Sequence, residues 1–239
     1  MTEESASAAG PVEAEVVDAF RDFGVTAFTT GRAAGSFGTQ SEEAVRDVMA
    51  RWSSLRSRLG AAQLATAAQV HGSAIAEHGG SWTGWLRGDA ADGHLSTARG
   101  IAMAVTVADC VPVFIAHPSG TAAILHSGWR GTAAGITERA IDRLGALGCA
   151  ARELRLHCGP AICGRCYEVS ADVARQLTGH HGGRSTLIDL RALIIDRART
   201  LGVSAVTCSA YCTRCHNDRF FSHRAGDAGR QLGVLLAAE

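Results

Sequence analysis

Aromatic side chains are scarce in this 239-residue chain, at 5% of the total, and net charge is absent, with 23 basic residues balancing 23 acidic ones. The core must be built from small and aliphatic groups, and the abundant Ala and Gly suit close helix–sheet packing with tight turns. Neutrality, and the lack of a basic stripe interleaved with aromatics, argue against a nucleic-acid partner. No apolar run is long enough to span a bilayer. The start, Met1 to Ala14, lacks the basic and then apolar order of a secretory leader. We therefore expect a cytoplasmic protein with no membrane partner, whose eight cysteines are thiols or metal ligands rather than disulfides. Neither a repeat nor a linker divides the chain, so a disordered tail at 1–11 and one domain at 12–239 are expected.

What the chain does have is a series of short apolar runs broken by turns. Strands are expected at Val25–Thr30, Leu64–Val70, Ala74–Glu77, Ile101–Val107, Val111–Ala116, Thr121–Leu125, Leu154–Cys158 and Val203–Ser209. Helical spacing predicts helices over Ser41–Leu59, with Ser41 as N-cap, and over Thr132–Leu147, Ala171–Leu177, Leu190–Leu201 and Asp227–Leu236. Residues 78–94 read as a Gly-rich loop whose two tryptophans, Trp82 and Trp85, pack back on the domain. Together these predict one α/β domain of mixed strand order.

Three residues stand where an apolar run stops and a turn begins: His71 in Gln69-Val-His-Gly-Ser73, Cys110 in Ala108-Asp-Cys-Val-Pro112, and His126 in Leu125-His-Ser-Gly-Trp-Arg-Gly131. Strand ends are where an α/β scaffold presents side chains to ligands. Two imidazoles and a thiolate can hold Zn²⁺ and leave a fourth position open. The plainer alternative is an inert buried Cys and two satisfied His. Asp109 reads either as an acid/base or a partner orienting a ligand, or as a turn cap. Gly128, Gly131 and Arg130 before a helix suggest an anion pocket beside His126. Arg224 and Arg230, with His223, precede the expected last helix and could close a nucleoside or anion pocket. Cys163-Gly-Arg-Cys166 and Cys212-Thr-Arg-Cys215 form a C-x2-C pair pattern like that of a structural four-cysteine zinc site, though the gap between the pairs is longer than in a typical zinc ribbon. A redox pair, or thiols at the mouth of an active site, are the competing readings.

Taken together, Gln69-Val-His-Gly72, Ala91-Asp92, Ala108-Asp-Cys-Val-Pro112, His126-Ser-Gly-Trp-Arg-Gly131, Gly159-Pro-Ala-Ile162, Cys166-Tyr-Glu-Val169, Phe221-Ser-His-Arg224 and Gly229-Arg230 resemble the YfiH family, also known as laccase-domain or polyphenol-oxidase-like proteins. The resemblance covers the chain from about residue 23 onward. It implies a layered α/β/β/α domain similar to the cytotoxic-necrotizing-factor cysteine hydrolases. A zinc site, with copper as the other metal, is implied on His71, Cys110 and His126. The implied activity is phosphorolysis of adenosine, inosine and 5′-methylthioadenosine, with some adenosine deamination; some members are linked instead to editing of peptidoglycan precursors. Family members usually carry a Gly-Gly-x-Ser turn and a Ser-Leu-Asn segment near the N-terminus. Here Thr30-Gly-Arg-Ala-Ala-Gly-Ser-Phe-Gly38 replaces the first and the second is missing.

The expected function is thus a zinc-dependent nucleoside enzyme whose partners are a nucleoside and phosphate and which needs no more than a monomer. Cys110, His71, His126 and Asp109 are the expected catalytic residues; Gln69, Arg130, Arg224 and Arg230 are the expected substrate contacts. Other readings of the same residues are a cysteine hydrolase with Cys110 as nucleophile, a precursor-editing factor, and a copper polyphenol oxidase. The chain has no His-x-His pair, which argues against multicopper chemistry. Nor does it carry the H-x-E with P-C-x-x-C signature of the base deaminases.

Overall fold

The computed structural model describes residues 14–39, 43–80, 82–179 and 184–238. The expected tail at 1–11 and the N-cap Ser41 lie outside them. Along the chain come strands β1 (Ala14–Val16) and β2 (Val25–Thr30), helix α1 (Val45–Leu59), and strands β3 (Gln63–Ala68), β4 (Ile75–His78), β5 (Gly84–Ala90), β6 (Gly93–Ser96), β7 (Ile101–Val107), β8 (Val111–Ala116) and β9 (Ala122–Ser127). Helices α2 (Trp129–Ala133) and α3 (Ile136–Ala146) follow, then β10 (Arg155–Cys158), β11 (Glu168–Val169), α4 (Ala171–Thr178), β12 (Thr186–Leu187), α5 (Leu190–Thr200), β13 (Ala205–Cys208) and β14 (Gln231–Ala237).

Two six-stranded mixed sheets form the centre. The first has the order β1-β2-β14-β7-β3-β5 and the second β13-β10-β8-β9-β6-β4. Period-2 alternation assigns each strand's faces. On β7, Ile101, Met103, Val105 and Val107 point between the sheets, toward Phe114 and Ile124. Ala102 and Ala104 point the other way, toward Val48, Trp52 and Leu55 of α1. On β8, Val111, Val113 and Ile115 meet Ile136, Ala140 and Leu144 of α3 and Ile194 of α5. The three apolar clusters are therefore the three seams of an α/β/β/α stack, as expected. Each fully buried aliphatic or aromatic side chain in them contributes about 1.5–3 kcal/mol.

Three connections pass from the first sheet to the second at one end of the molecule. Strands β3, β5 and β7 run parallel in the first sheet; each is followed directly by a strand of the second, β4, β6 and β8. The two strands expected around His71 are real, but they belong to different sheets. Each crossing is short, so its side chains gather at the seam.

Several expectations need correction. The last helix, expected at Asp227–Leu236, is instead β14, a central strand between β2 and β7. Its run Gln231–Ala237 is buried on both faces, which removes the alternation that marks a half-exposed strand. The loop expected at 78–94 contains β5 and part of β6. Its tryptophans do pack back: Trp85 stacks on Trp52 at 4.6 Å, and Trp82 leans on the seam between the sheets. The helix expected from Thr132 starts at Trp129 and is broken at Gly135, where φ is +73°. Helix α1 starts at Val45, after Ala44, and its Val45 and Met49 face solvent. No helix among the described residues is long and apolar enough to cross a membrane.

Two buried histidines make stability depend on pH. Burial, then the neighbouring His78, holds His94 down at about 3; burial holds His157 at about 4. Both values lie below the roughly 6.5 of an unfolded histidine. Below pH ~6.5 the unfolded chain therefore binds protons that the folded chain refuses, and each histidine removes about 1.4 kcal/mol of stability per pH unit. For His157 the loss continues down to about pH 4. We predict a Tm that falls with pH across this window and a shallower fall for His157→Asn. Equal slopes in the two proteins would show that His157 is not held neutral by the fold.

Candidate metal centre and active site

The three sheet crossings each deliver one residue to the same place. His71 follows β3, Asp92 lies between β5 and β6, and Cys110 follows β7. His126 comes from the end of β9, whose partner across the hairpin is Pro112 of β8. The ligating atoms of His71, Cys110 and His126 all lie within 4.8 Å of one another. The two imidazoles stand edge to face, 4.8 Å between centroids. His71 is exposed, Cys110 half-buried and His126 buried, so the group opens to solvent on the His71 side.

Asp92 organises this group. Its carboxylate has no solvent exposure. Oδ2 accepts from the backbone N–H of Val70 (3.1 Å) and Gly72 (2.7 Å), and Oδ1 from that of His71 (2.9 Å). Oδ1 also meets His126 Nδ1 at 2.8 Å. The Asp92 backbone carbonyl accepts from the His126 N–H at 2.7 Å. One side chain thus closes the His71 turn, holds His71 at a φ of +61°, which a residue with a Cβ rarely adopts, and leaves Nε2 as the free nitrogen of His126. A carboxylate behind a histidine is how ligand imidazoles are oriented and made more basic. In the sequence Asp92 stands out only as half of the Ala91-Asp92 motif. No local signal gives it a role, because its partners are 20 to 34 residues away.

The electrostatics follow from this arrangement. Burial alone would push the Cys110 thiol up, but the His126 charge and hydrogen bonds from His126 and His71 outweigh it and bring it to about 6. Burial pulls His126 down, yet the Cys110 thiolate and the Asp92 carboxylate lift it to about 9. Burial would raise Asp92, but the bonds from His126, Gly72 and Val70 hold it below the usual carboxylate range. Both shifts favour the charged pair, thiolate and imidazolium. Gly128 leaves the space beside the sulfur open: a Cβ there would stand 2.9 Å from Cys110 Sγ and 3.5 Å from the His71 ring.

A cavity of about 390 Å³ adjoins the group, within the roughly 300–1,000 Å³ of small-molecule sites. Its lining includes Phe37, Trp85, Thr66 and Thr106 together with His71, Cys110 and His126. Four side chains expected to touch substrate fare differently. Gln69 and Arg230 line the cavity; Arg130 and Arg224 do not. The Gln69 amide is spent on Thr106, donating to its carbonyl at 2.8 Å and accepting from its N–H and hydroxyl at 2.8 and 2.9 Å. Arg230 Nη1 donates to the carbonyls of Asp227, Ala228 and Gly229. Arg130 is exposed and lies over the Trp129 ring. Arg224 lies over Tyr167. Burial first, then the Cys110 charge, pushes the Tyr167 phenol to about 12, opposed by Arg224 and Arg130.

Asp109, at a φ of +78°, turns its carboxylate away from the ligand group. It accepts from Thr213 Oγ1 at 2.6 Å and from the Arg224 N–H at 2.6 Å. It fastens the segment before β14 to the turn that carries Cys110. Arg87 also lines the cavity and was not singled out from the sequence. The signal was there in β5, where Trp85 and Arg87 are two residues apart and so share a face. It was hidden because the stretch reads as a loop. The cysteines of the two Cys-x-x-Cys motifs do not line the cavity; their sulfurs converge elsewhere, within 4.8 Å of one another.

The chain is similar to several known proteins. A family model described as multi-copper polyphenol oxidoreductase laccase matches residues 20–238. A Streptomyces griseus protein named purine nucleoside phosphorylase ORF3 is 33% identical over 175 residues, 70% of this chain and 71% of its own. Among solved structures, Bacillus licheniformis hypothetical protein YfiH has the same fold, with a TM-score of 0.84 at 22% identity, covering 95% of this chain and 97% of its own. YlmD from Geobacillus stearothermophilus has a TM-score of 0.82 at 26% identity, with 91% and 94% covered.

Two outcomes test the geometry. Asp92→Asn, which cannot accept all four hydrogen bonds, should weaken metal retention about 10–100-fold in competition with a chelator; unchanged retention would remove Asp92 from its orienting role. In chelator-treated protein, alkylation of Cys110 by iodoacetamide should reach half its maximal rate near pH 6, against roughly 8.5 for an ordinary thiol. Added Zn²⁺ should block it. Fast alkylation in the presence of Zn²⁺ would favour the nucleophile reading.

Proposed function

The chain belongs to the multi-copper polyphenol oxidoreductase laccase family, and on that basis we propose that it is a metal-dependent purine nucleoside phosphorylase, acting on adenosine, inosine and 5′-methylthioadenosine. The observation that carries this reading is the juxtaposition of the His71–Cys110–His126 group with the cavity, taken with relatives named purine nucleoside phosphorylase. The donor set suits a metal: two imidazoles and a thiolate, with a carboxylate behind one ring and open space beside the sulfur. Zn²⁺, with copper the alternative, would be held by His71, Cys110 and His126 and would supply Lewis acidity to the cavity they line.

The chain's own residues supply the rest. Phe37 and Trp85 give the cavity apolar surface for a purine, and Thr66 and Thr106 stand beside them. Among the described residues the Arg87 side chain has no hydrogen bond or ion pair, so its planar fork is free for a phosphate. In phosphorolysis a phosphate oxygen attacks the anomeric carbon, the bond to the purine nitrogen breaks, and the base leaves with the electron pair and needs a proton. With His71, Cys110 and His126 engaged as ligands, His223 is the remaining imidazole facing the cavity, and we assign it that proton. Deamination of adenosine is a side activity of the same cavity in this reading.

The family's description points to oxidation of phenols, but the donor inventory favours a hydrolytic or phosphorolytic centre. Among the described residues, two groups of ligating side chains converge closely enough to share an ion, and one of them contains histidine. Multicopper oxidation needs several histidine-rich sites.

The test is product identification by mass after incubation with each nucleoside, with and without phosphate. Free base and sugar 1-phosphate should form only with phosphate. His71→Ala should abolish turnover with the fold intact. Arg87→Ala should raise the KM for phosphate about tenfold or more, the loss of one charge-assisted contact. His223→Asn should lower kcat at unchanged metal content. If no free base appears with any of the three nucleosides, the reading is wrong.

A further inference from the structure

The second sulfur cluster is not used by the proposed reaction, and it lies where the fold has least regular structure. Residues 159–167 and 209–230 contain no strand or α-helix, only an isolated bridge and a short 3₁₀ turn. An irregular stretch of that length within a compact domain needs an anchor. These two segments carry Cys163 and Cys166, and Cys212 and Cys215. They meet through a parallel bridge between Ala161 and Cys212 and the Thr213 N–H bond to the Ala161 carbonyl at 3.2 Å.

The four sulfurs lie within 4.8 Å of one another, and those of Cys166 and Cys215 are 3.4 Å apart. Four thiolates around one zinc at about 2.3 Å would stand roughly 3.8 Å from each other. The surroundings suit anionic sulfur. Cys212 Sγ accepts from the backbone N–H of Cys163 at 3.3 Å and of Cys215 at 3.5 Å. Cys212 is buried, whereas Cys163, Cys166 and Cys215 reach the surface, which gives an ion a path of entry. Arg165 and Arg214 precede the second cysteine of each pair, and Arg214 Nη1 donates to the Cys166 carbonyl at 3.3 Å. A dithiol relay requires two sulfurs; here two distant pairs converge on one point.

We propose that Cys163, Cys166, Cys212 and Cys215 hold one Zn²⁺ as a tetrathiolate, separate from the His71–Cys110–His126 centre, and that this ion clamps the two irregular segments against the turn bearing Cys110. Binding releases the four thiol protons and leaves a centre of charge minus two, beside Arg165 and Arg214. The clamp acts through Asp109. Its carbonyl accepts from the Ile162 N–H at 3.1 Å, and its carboxylate accepts from the buried Thr213 hydroxyl at 2.6 Å. Ile162 and Thr213 each adjoin a cysteine of the cluster, and Asp109 adjoins Cys110. Metal binding here is therefore folding free energy for the wall of the other site.

Metal analysis of protein purified under reductant, with cobalt substitution read by visible and near-ultraviolet absorption, tests this. Wild type should hold two equivalents. His71→Ala should keep one, and its cobalt form should show the intense charge-transfer bands of four thiolates. The double variant Cys163→Ser/Cys166→Ser should lose that signature, keep one equivalent at most and melt at a lower temperature. Should it fail to fold, the wild-type and His71→Ala measurements decide alone. One equivalent in wild type and none in His71→Ala overturns the proposal, as does residual cobalt in His71→Ala without thiolate bands. One equivalent in both proteins, with the tetrathiolate spectrum, sinks the metal at His71 and leaves this site standing.

Discussion

A carboxylate with no contact to water, set where two sheets meet, holds together the end of the molecule that matters. Asp92 binds the backbone of the preceding crossing at Val70, His71 and Gly72 and the side chain of His126 at once. A buried charge is costly unless it is paired and fully hydrogen-bonded, and these partners meet both conditions. The parallel run of β3, β5 and β7 delivers His71, Asp92 and Cys110 to one seam without any long loop. Precision at the site thus comes from strand ends and one shared acceptor, rather than from flexible segments that would have to be ordered separately.

The same economy appears one layer out. Asp109 directs its carboxylate toward Thr213 and the Arg224 backbone, and Gln69 directs its amide toward Thr106. Asp109 precedes Cys110 and Gln69 stands two residues before His71, and both hold the frame rather than face the cavity with free polar atoms. His71, Cys110, His126, Arg87 and His223 line the cavity.

Much of this was legible in the chain, and the exceptions have physical causes. The three residues that converge, His71, Cys110 and His126, stood out because apolar runs stop at them, and strand ends are where side chains leave the core. Alternating short strands and amphipathic helices gave the α/β class and mixed strand order, while the layered arrangement came with the family resemblance. Strand β14 misled because both its faces are buried and its Leu-rich run carries no period-2 signal. Strand β5 misled because it is an exposed edge rich in Gly and charge, and with it Arg87 was lost from view. Asp92 could not be found locally, since a single Asp before a Gly looks like any turn. Its role exists only once the crossings are folded together.

The proposed chemistry stands on His71, Cys110 and His126 being ligands to one ion that faces the cavity. Anomalous diffraction at the metal absorption edge, from crystals grown with Zn²⁺, is the sharpest check. A peak bonded to Cys110 Sγ and to one ring nitrogen each of His71 and His126 is expected, with a further position open toward the cavity. No peak there, with Cys110 carrying a covalent substrate adduct instead, would contradict the metal centre.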